Sequence, residues 1–513
     1  MAVDSRLKPE AVQAQVLEIG GKLKTPPSDL LVGTAFTDEL NNQAALVSAI
    51  GLVDLAHTLT AMAHKIIPEP AALQLLTHLL ALQARPESFV LHPDNGDIYT
   101  NREAWLAQRT DAVVWLGAGR ARREAVTTGF ILVLREQITE LSEVLISLGL
   151  VIAQQAERHI RAVMPDYTYL QAAQPTSFGH YLLGFAYPVL RDLARIENLW
   201  TRLNLSPMGC GSTNGSRLRQ GREGMAELLG FDGLISHARD AMWQADLFIE
   251  ISALLSASSI SLSRLAEDLQ VFSSQEFALV ELDDCHARAS KIMPQKKNPF
   301  ALTHIRSVAN KLIGLTASVA ASVRTPTGQP DNRTLIYGEL PEAIESVGHS
   351  AALLAEVLKS MTFNQARGEA LVASGWVMAT DLAEMLVIEY GVDFRSAHQL
   401  LAKLASDYPR KSLLDLDRQA LIALAEKQLG GKIRLTEQQW ASSLDVNAAL
   451  QARSESGGAA AVSMMKMLAD CRQQLGAFSD KVQARKNLFS SREQALLQQV
   501  SQLIRPAEAA NHD

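Results

Sequence analysis

The chain has 513 residues, of which 47% are apolar, and its formal net charge is −7. This composition supplies a sizeable core for two or three domains and excludes an intrinsically disordered protein. With a sequence pI near 6.0, the chain lacks the general basic character of nucleic-acid-binding proteins, so anion recognition must come from local basic clusters.

The sequence carries no signal for secretion, membrane insertion or cofactor binding. The first residues, MAVDSRLKPE, do not place a basic segment before an apolar one. The most apolar tracts contain charges or stay below the ~18 apolar residues of a membrane span. The three cysteines form no CxxC pair, the histidines have no metal-ligand spacing, and the glycine pairs lack dinucleotide spacing. We therefore expect a cytoplasmic protein with free thiols and without metal or organic cofactor.

Apolar residues recur at steps of three and four along most of the chain, which predicts a mostly helical fold. Residues 179–203 form one such stretch, and the turn-rich segment NLSPMGCGSTNGS follows it. Residues 301–323 form another, with Pro299 expected in its first turn. Because strand-like alternation is nearly absent, we predict an all-α protein.

Polar or glycine-containing stretches separate the helical blocks near residues 95–121 and 361–370. They predict an N-terminal helical domain (1–118), a central helix-bundle domain (119–365) and a C-terminal helical domain (366–513). Central helices such as DLFIEISALLSASSISLSRLA are apolar on more than one face, which indicates burial between subunits.

The segment SKIMPQKKNP is a polar loop between two predicted helices, one ending near Leu282 and one beginning near Pro299. Its residues suit the removal of a proton next to a carboxylate. Ser290 can accept a proton if its alkoxide is stabilised, and Lys296 and Asn298 can hold a developing oxyanion. On composition alone, a solvated connector whose lysines face water is an equal alternative.

This loop, residues 287–299, resembles the signature loop of the aspartase/fumarase superfamily, and its Gln-Lys-Lys version is similar to that of argininosuccinate lyases. Similar segments follow the family order: YTYLQAAQPTSFGHYLL, NLSPMGCGSTNGS with AELLGFDG, ATDLAEMLV, and LDVNAALQARSESGGAA. The resemblance implies a three-domain all-α subunit with a central bundle of long helices. It also implies a homotetramer whose sites use three subunits, and cofactor-free release of fumarate from an N-substituted aspartate.

The resemblance further implies roles for individual residues. Ser290 corresponds to the serine that removes the Cβ proton, and Lys296 and Asn298 correspond to residues that stabilise the dianionic intermediate. The family's substrate-binding positions match Thr168, Gln174 and Arg222.

The chain departs from argininosuccinate lyases at one interacting pair. Tyr169 replaces the histidine that follows the threonine, and Thr303 replaces the glutamate that pairs with that histidine. Removal of one partner alone would leave an unpaired buried group at a cost of ~1–3 kcal/mol, so the joint replacement indicates a re-equipped site. Tyr169 is a candidate proton donor, and the alternative is a tyrosine packed in the wall with a satisfied hydroxyl.

The family's Gly-Arg-Ser-Arg-Asn-Asp motif appears as GRARRE, residues 119–124, which we call the arginine motif. An arginine takes the place of the asparagine. We predict that Arg120, Arg122 and Arg123 bind an additional anionic group of the substrate bidentately. The alternative is that Arg123 pairs with Glu124 or another acid.

A second substrate segment of the family, Tyr-Asn-Arg-Asp-x-Gln-x-x-Lys, aligns with DNRTLIYGE. This alignment places Asp331, Ile336 and Glu339 at its Tyr, Gln and Lys positions, so the pocket for the arginine moiety is predicted to be rebuilt. We therefore predict a C–N lyase that acts, in either direction, on an N-substituted aspartate other than argininosuccinate. The competing interpretation is a non-catalytic paralogue that keeps the tetrameric scaffold.

Overall fold

The computed structural model describes residues 22–326, 333–430 and 433–510. Helices dominate these residues, which confirms the predicted all-α class. In chain order they are α1 (Asp29–Leu31), α2 (Thr37–Gln43), α3 (Val47–Ala63), α4 (Glu69–Ala84), α5 (Ile98–Ala107), α6 (Arg122–Arg158), α7 (Phe178–Leu183), α8 (Ala186–Leu203), α9 (Arg222–Leu228), α10 (Ala238–Trp243), α11 (Asp246–Phe272), α12 (Phe300–Val323), α13 (Ile336–Ser360), α14 (Gln365–Ala373), α15 (Ala379–Tyr390), α16 (Phe394–Asp407), α17 (Arg418–Leu429), α18 (Glu437–Ser443), α19 (Val446–Ala452) and α20 (Ala461–Ala510).

The strands are short and pair two by two. They are β1 (Val163–Thr168) with β2 (Gln171–Ser177), β3 (Leu205–Ser206) with β4 (Gly233–Leu234), β5 (Val280–Glu281) with β8 (Thr362–Phe363), and β6 (Arg288–Ala289) with β7 (Lys297–Asn298). Only the β3–β4 pair is parallel among them.

The hairpin β1–β2, which joins α6 to α7, was not predicted from the sequence. Its two-residue turn consists of Tyr169 and Leu170, whose φ angles are 54° and 57°. Two-residue hairpin turns with positive φ at both positions usually carry Asn-Gly or a similar pair. Because a Tyr-Leu turn lacks these residues, the sequence of the turn does not predict the hairpin.

A central bundle is formed by α6, α8, α11, α12 and α13, which pack against one another. The ring of Phe130 on α6 lies 5.4 Å from that of Phe248 on α11 and 4.8 Å from that of Tyr337 on α13. Ser256 on α11 donates a hydrogen bond of 2.7 Å to the carbonyl of Leu312 on α12. The predicted helix over 301–323 is confirmed as α12.

Two predicted helix ends are wrong. The helix before the loop ends at Phe272 instead of Leu282, because Val280 and Glu281 pair as a strand with β8. Pro299 lies just before the first residue of α12 instead of in its first turn. There its missing N–H costs no hydrogen bond within the helix.

The buried apolar residues form one large cluster and smaller ones. The large cluster joins the helices from α2 to α13, except α10, with α20, which packs against α6. A separate cluster of residues between 378 and 449 holds α15 to α19 together. The domain limits at 118/119 and 365/366 remain predictions, and α20 packs on the bundle although it follows the smaller cluster in the chain.

Two helical stretches, Asp29–Ala63 and Asp246–Phe272, are long and apolar enough to cross a membrane by length and composition. The expectation that every apolar tract falls short of a span is therefore wrong. Within the protein, 78% of the apolar window in the first stretch and 50% of that in the second are buried. Core helices of a globular bundle have this property as well.

A buried ion cluster fixes the turn that leads into α6. The carboxylate of Asp54 accepts from Arg102 Nε at 2.7 Å and pairs with Arg120 Nη2 at 2.8 Å, and all three side chains are at most 1% exposed. Arg120 also donates to the hydroxyl of Tyr99 and the carbonyl of Leu116, each at 3.3 Å. Burial raises the pKa of Tyr99 to about 12, so this hydroxyl stays neutral. The cluster ties α3 and α5 to the chain just before α6.

We predict that Asp54→Asn lowers the free energy of unfolding by about 3–5 kcal/mol, because two buried guanidinium groups lose their counter-charge. The matched control is Glu342→Gln, which breaks the pair with Lys311, whose side chains are 64% and 62% exposed. That change should cost less than about 1 kcal/mol. Urea unfolding followed by circular dichroism measures both, and equal small effects would contradict the structural role of the cluster.

Candidate active site

The signature loop (residues 287–299) is closed at its base by the strands β6 and β7. The backbone of Arg288 pairs with that of Asn298, and the Asn298 amide donates to the Arg288 carbonyl at 2.9 Å. The guanidinium of Arg288 lies 3.6 Å from the centroid of the Phe300 ring. The two ends of the loop are therefore held together, and the residues between them project from the bundle as one closed unit.

Inside this loop, Ser290 and Lys296 are held by a tight turn. The Ser290 hydroxyl oxygen accepts from the Met293 N–H at 3.1 Å, and the Lys296 N–H donates to the Met293 carbonyl at 3.1 Å. A donor on the hydroxyl oxygen favours the alkoxide form that a base requires. The neighbouring Lys297 instead pairs with Asp284 at 2.7 Å. Of the two adjacent lysines, Lys297 thus forms the anchoring pair, and Lys296 is exposed.

The β1–β2 hairpin carries Thr168, Tyr169 and Gln174 on its exposed part. Tyr169 is 99% exposed, so it is not packed in a wall formed by its own chain. The hairpin packs against the end of α11, where the Tyr167 ring lies 5.8 Å from that of Phe272. The signature loop lies at this end too, since Arg306 near the start of α12 donates to Gln270 in the last turn of α11 at 2.8 Å. Thr168, Tyr169 and Gln174 thus lie at the same end of the bundle as Ser290.

The family's glutamate position, Thr303, lies in the first turn of α12, directly after the signature loop. Its hydroxyl donates to the Pro299 carbonyl of its own helix at 3.3 Å and is exposed. Thr303 therefore offers no charged partner to a residue at the hairpin tip.

The arginine motif lies at the other end of α6, and it behaves differently from the prediction. Arg120 cannot bind substrate directly, because its side chain is 0% exposed and paired with Asp54. Arg123 Nη1 lies 2.6 Å from Glu39 Oε1, and both side chains are only 13–14% exposed. The pairing of Arg123 with an acid is thus the observed alternative, with Glu39 in place of Glu124.

Arg122, by contrast, is 40% exposed. Its Nε lies 3.6 Å from the Asp97 carboxylate, which also caps α5 by accepting from the Thr100 N–H at 2.9 Å. Asp97 is buried, whereas 40% of the Arg122 side chain is exposed, which is more than for Arg120 or Arg123. Arg122 is therefore the residue of the motif best placed to meet a carboxylate.

Glu124 fixes the turn that follows α8 and β3. Its buried carboxylate accepts from the Gly209 N–H at 2.5 Å and the Gly211 N–H at 3.1 Å. Burial raises the pKa of Glu124, and the hydrogen bond from Gly209 opposes that rise. The residue at the family's aspartate position is thus structural here, since it ties the arginine motif to the central turn.

Arg222 braces the same turn. Its Nε donates to the Met208 carbonyl at 2.8 Å and its Nη2 donates to the Ile235 carbonyl at 3.0 Å. Gly209, with φ of +75°, leaves the space for this side chain, since a Cβ there would lie 2.4 Å from Arg222 Cγ. Two of the Arg222 donors thus hold backbone carbonyls, and its contact with substrate stays a prediction.

The rebuilt segment DNRTLIYGE gives a mixed result. Asp331 lies outside the described residues. Ile336 is 0% exposed and packs in the large apolar cluster of its own chain, and the rebuilding of the pocket for the arginine moiety stays a prediction. Glu339 is partly buried, and its Oε2 has no hydrogen-bond partner among the residues that the structure describes.

The predicted residues therefore fall into two groups that one copy of the chain cannot bring together. Ser290, Lys296, Asn298 and the hairpin lie where α6 and α11 end, whereas the arginine motif lies where α6 begins. Helix α6 has 37 residues, which corresponds to about 55 Å at a rise of about 1.5 Å per residue. No small ligand spans that distance.

The sequence did not reveal the acidic residues that form ion pairs with the arginines of the motif. Glu39 is 84 positions from Arg123, and no motif marks it. In the described part of the chain, no group of three or more His, Cys, Asp or Glu side chains could hold a metal ion.

The sequence matches the family described as "Lyase" over residues 32–314 and the one described as "Argininosuccinate lyase C-terminal" over residues 376–451. Argininosuccinate lyase of Methanococcoides burtonii is 30% identical over 93% of this chain and 96% of its own. That of Methanothrix thermoacetophila is 31% identical over 88% of this chain and 93% of its own.

Solved structures agree in fold. EDDS lyase in complex with formate has a TM-score of 0.82 and 25% identity, with 94% of this chain and 97% of that chain covered. A 3-carboxy-cis,cis-muconate lactonizing enzyme from Pseudomonas putida, with a TM-score of 0.64 and 18% identity over 84% of this chain and 95% of that chain, shares the fold alone. The chain therefore belongs to the aspartase/fumarase superfamily as an argininosuccinate-lyase-like C–N lyase.

Proposed function

We propose that this protein releases fumarate from an N-substituted aspartate other than argininosuccinate, or adds an amine to fumarate in the reverse direction. The observation that carries the proposal is the signature loop, which presents Ser290, Lys296 and Asn298 together on a lyase scaffold. The non-catalytic alternative has to explain why a paralogue without activity keeps all three.

The proposed reaction is a β-elimination. Ser290, as the alkoxide, removes the proton from Cβ, and the charge that develops on the adjacent carboxylate is held by Lys296 and Asn298. The electron pair then forms the carbon–carbon double bond as the C–N bond breaks, and the amine leaves with a proton. Tyr169, at the hairpin tip, is our candidate for the proton donor.

We propose that complete sites form only between copies of the chain, in a cytoplasmic homotetramer. The separation along α6 supports this, because Arg122 of one copy has to meet Ser290 of another. Exposed apolar side chains on the bundle also support it, among them Ile260 on α11, which is 42% exposed. Burial of such faces between copies would remove them from water.

The replaced residues support a substrate other than argininosuccinate. Tyr169 and Thr303 offer no carboxylate–histidine pair, and Arg123 is matched with Glu39 where the family has a neutral asparagine. A solved neighbour is named EDDS lyase, which makes EDDS (ethylenediaminedisuccinate), an N-substituted aspartate, a natural first candidate. Unpaired charges at such positions can discriminate between substrates by about 10⁴ or more.

We predict that the purified protein releases fumarate from EDDS or a related N-substituted aspartate, but releases little or none from argininosuccinate. Ultraviolet absorbance of fumarate measures both reactions, and the reverse reaction is followed as its loss with added amines. Turnover of argininosuccinate at ~1 per second or faster would contradict the re-equipped site. If none of these compounds is cleaved and no amine is added to fumarate, the non-catalytic paralogue is favoured.

We predict that Ser290→Ala lowers the elimination rate by about 10²–10⁴ while the fold and its melting temperature stay unchanged, because the hydroxyl of a partly buried loop serine contributes little to packing. Ser490→Ala, an exposed serine on α20, is the matched control and should keep full activity. An active Ser290→Ala variant would assign the base to another residue.

We also predict that inactive Ser290→Ala and Arg122→Gln variants restore activity when mixed and reassembled. With equal mixing, about one site in four receives wild-type residues from both contributing copies, because the two positions come from different chains. Light scattering should report a tetramer before and after mixing. A monomer at micromolar concentration, or no recovery in verified mixed oligomers, would exclude the composite site.

A further inference from the structure

A polar turn lies directly against the arginine motif. We call residues 212–219 the basic turn, because the stretch from 207 to 222 contains three arginines and no acidic residue, in a chain whose net charge is −7. The Gln220 amide donates to the Gly119 carbonyl. The Ser216 hydroxyl lies 3.2 Å from the point where a Cβ on Gly119 would sit. Arg217 and Arg219 therefore lie between two residues that touch the motif.

The other end of the basic turn is fixed by the buried Glu124 carboxylate through Gly209 and Gly211, and the Gly215 N–H donates to the Cys210 carbonyl at 2.8 Å. Both ends of the turn are thus held by contacts to elements near the start of α6. A turn anchored in this way keeps its exposed side chains close to the arginine motif.

The arginines near the start of α6 differ in whether their guanidinium groups already have partners within the chain. Arg120 is neutralised by Asp54, Arg123 is matched with Glu39, and Arg222 donates to backbone carbonyls. Arg217 and Arg219 are exposed, and within the described residues their guanidinium groups make no hydrogen bond or ion pair. Two like charges two residues apart repel each other, and a ligand with two negative charges would relieve that repulsion.

We propose that Arg217 and Arg219 bind carboxylates on the amine half of the substrate, and that this half is an amino dicarboxylate. The inference rests on the proposed function and names its substrate class. Guanidinium groups bind carboxylates bidentately, and the serine, threonine and asparagine of the basic turn add neutral hydrogen-bond donors. The anion recognition expected of Arg120 and Arg123 thus moves to two residues that no family motif marks.

The test measures binding without turnover. Calorimetry follows the binding of EDDS to tetramers that carry Ser290→Ala, with and without the double change Arg217→Gln and Arg219→Gln. We expect the double change to weaken EDDS binding by about tenfold or more and to reduce its salt dependence. Fumarate, the second probe, should bind within twofold of the unchanged affinity, because it lacks the amine half.

Two controls separate charge from structure. Arg395→Gln removes an exposed arginine on α16 and should leave EDDS binding unchanged. Arg217→Lys with Arg219→Lys keeps the charge and should recover part of the lost affinity. The melting temperature of every variant should match that of the parent, since both side chains are exposed.

The inference is overturned if EDDS binds equally well to the double variant, if fumarate binding weakens to the same extent, or if EDDS does not bind to the parent tetramer. If EDDS binds through Arg217 and Arg219 but the wild-type protein releases no fumarate from any N-substituted aspartate, the proposed function fails while the binding inference stands.

Discussion

The length of α6 is the constraint on which the rest of the structure depends. Its 37 residues separate the arginine motif at one end from the β1–β2 hairpin, which follows the other end. The helices α11 and α12 pack against α13, which packs against α6, and they place the signature loop at the hairpin end. A rigid helix cannot bring its two ends together, so under the proposed function each copy of the chain contributes its two groups of residues to two different sites. Association between copies is then a chemical requirement of the proposed reaction and not only a way to bury apolar faces.

The charges near the start of α6 follow a simple rule of burial. A guanidinium that loses its water needs a carboxylate or several carbonyl groups in exchange. Arg120 receives Asp54, Arg123 receives Glu39, and Arg222 receives two backbone carbonyls. These partners hold the scaffold in place, and they leave substrate anions to the more exposed arginines. In this way a motif rich in arginine becomes mainly structural, while its neighbours in space take over recognition.

The signature loop shows the opposite arrangement, since its residues are exposed or only partly buried. Asn298 joins the two ends of the loop, and Lys297 anchors it to Asp284, whereas Lys296 stays exposed. A loop held only at its base can move as one unit without breaking packing in the core. The turn at Tyr169 and Leu170 is similarly exposed, and its positive φ angles are those of a two-residue hairpin turn. Both features concentrate adaptable groups at the end of the bundle that the proposed chemistry uses.

The sequence by itself determined the helical class, the family and the residues of the signature loop, because helical periodicity and short motifs are properties of neighbouring residues. It did not reveal the hairpin, since a Tyr-Leu turn lacks the usual glycine or asparagine, and it placed the end of α11 ten residues too late, at Leu282 instead of Phe272. Only the tertiary structure decided which arginines form ion pairs within the chain. Glu39 lies 84 positions from Arg123, and the pairing of such charges depends on distances in space that the order of residues does not encode.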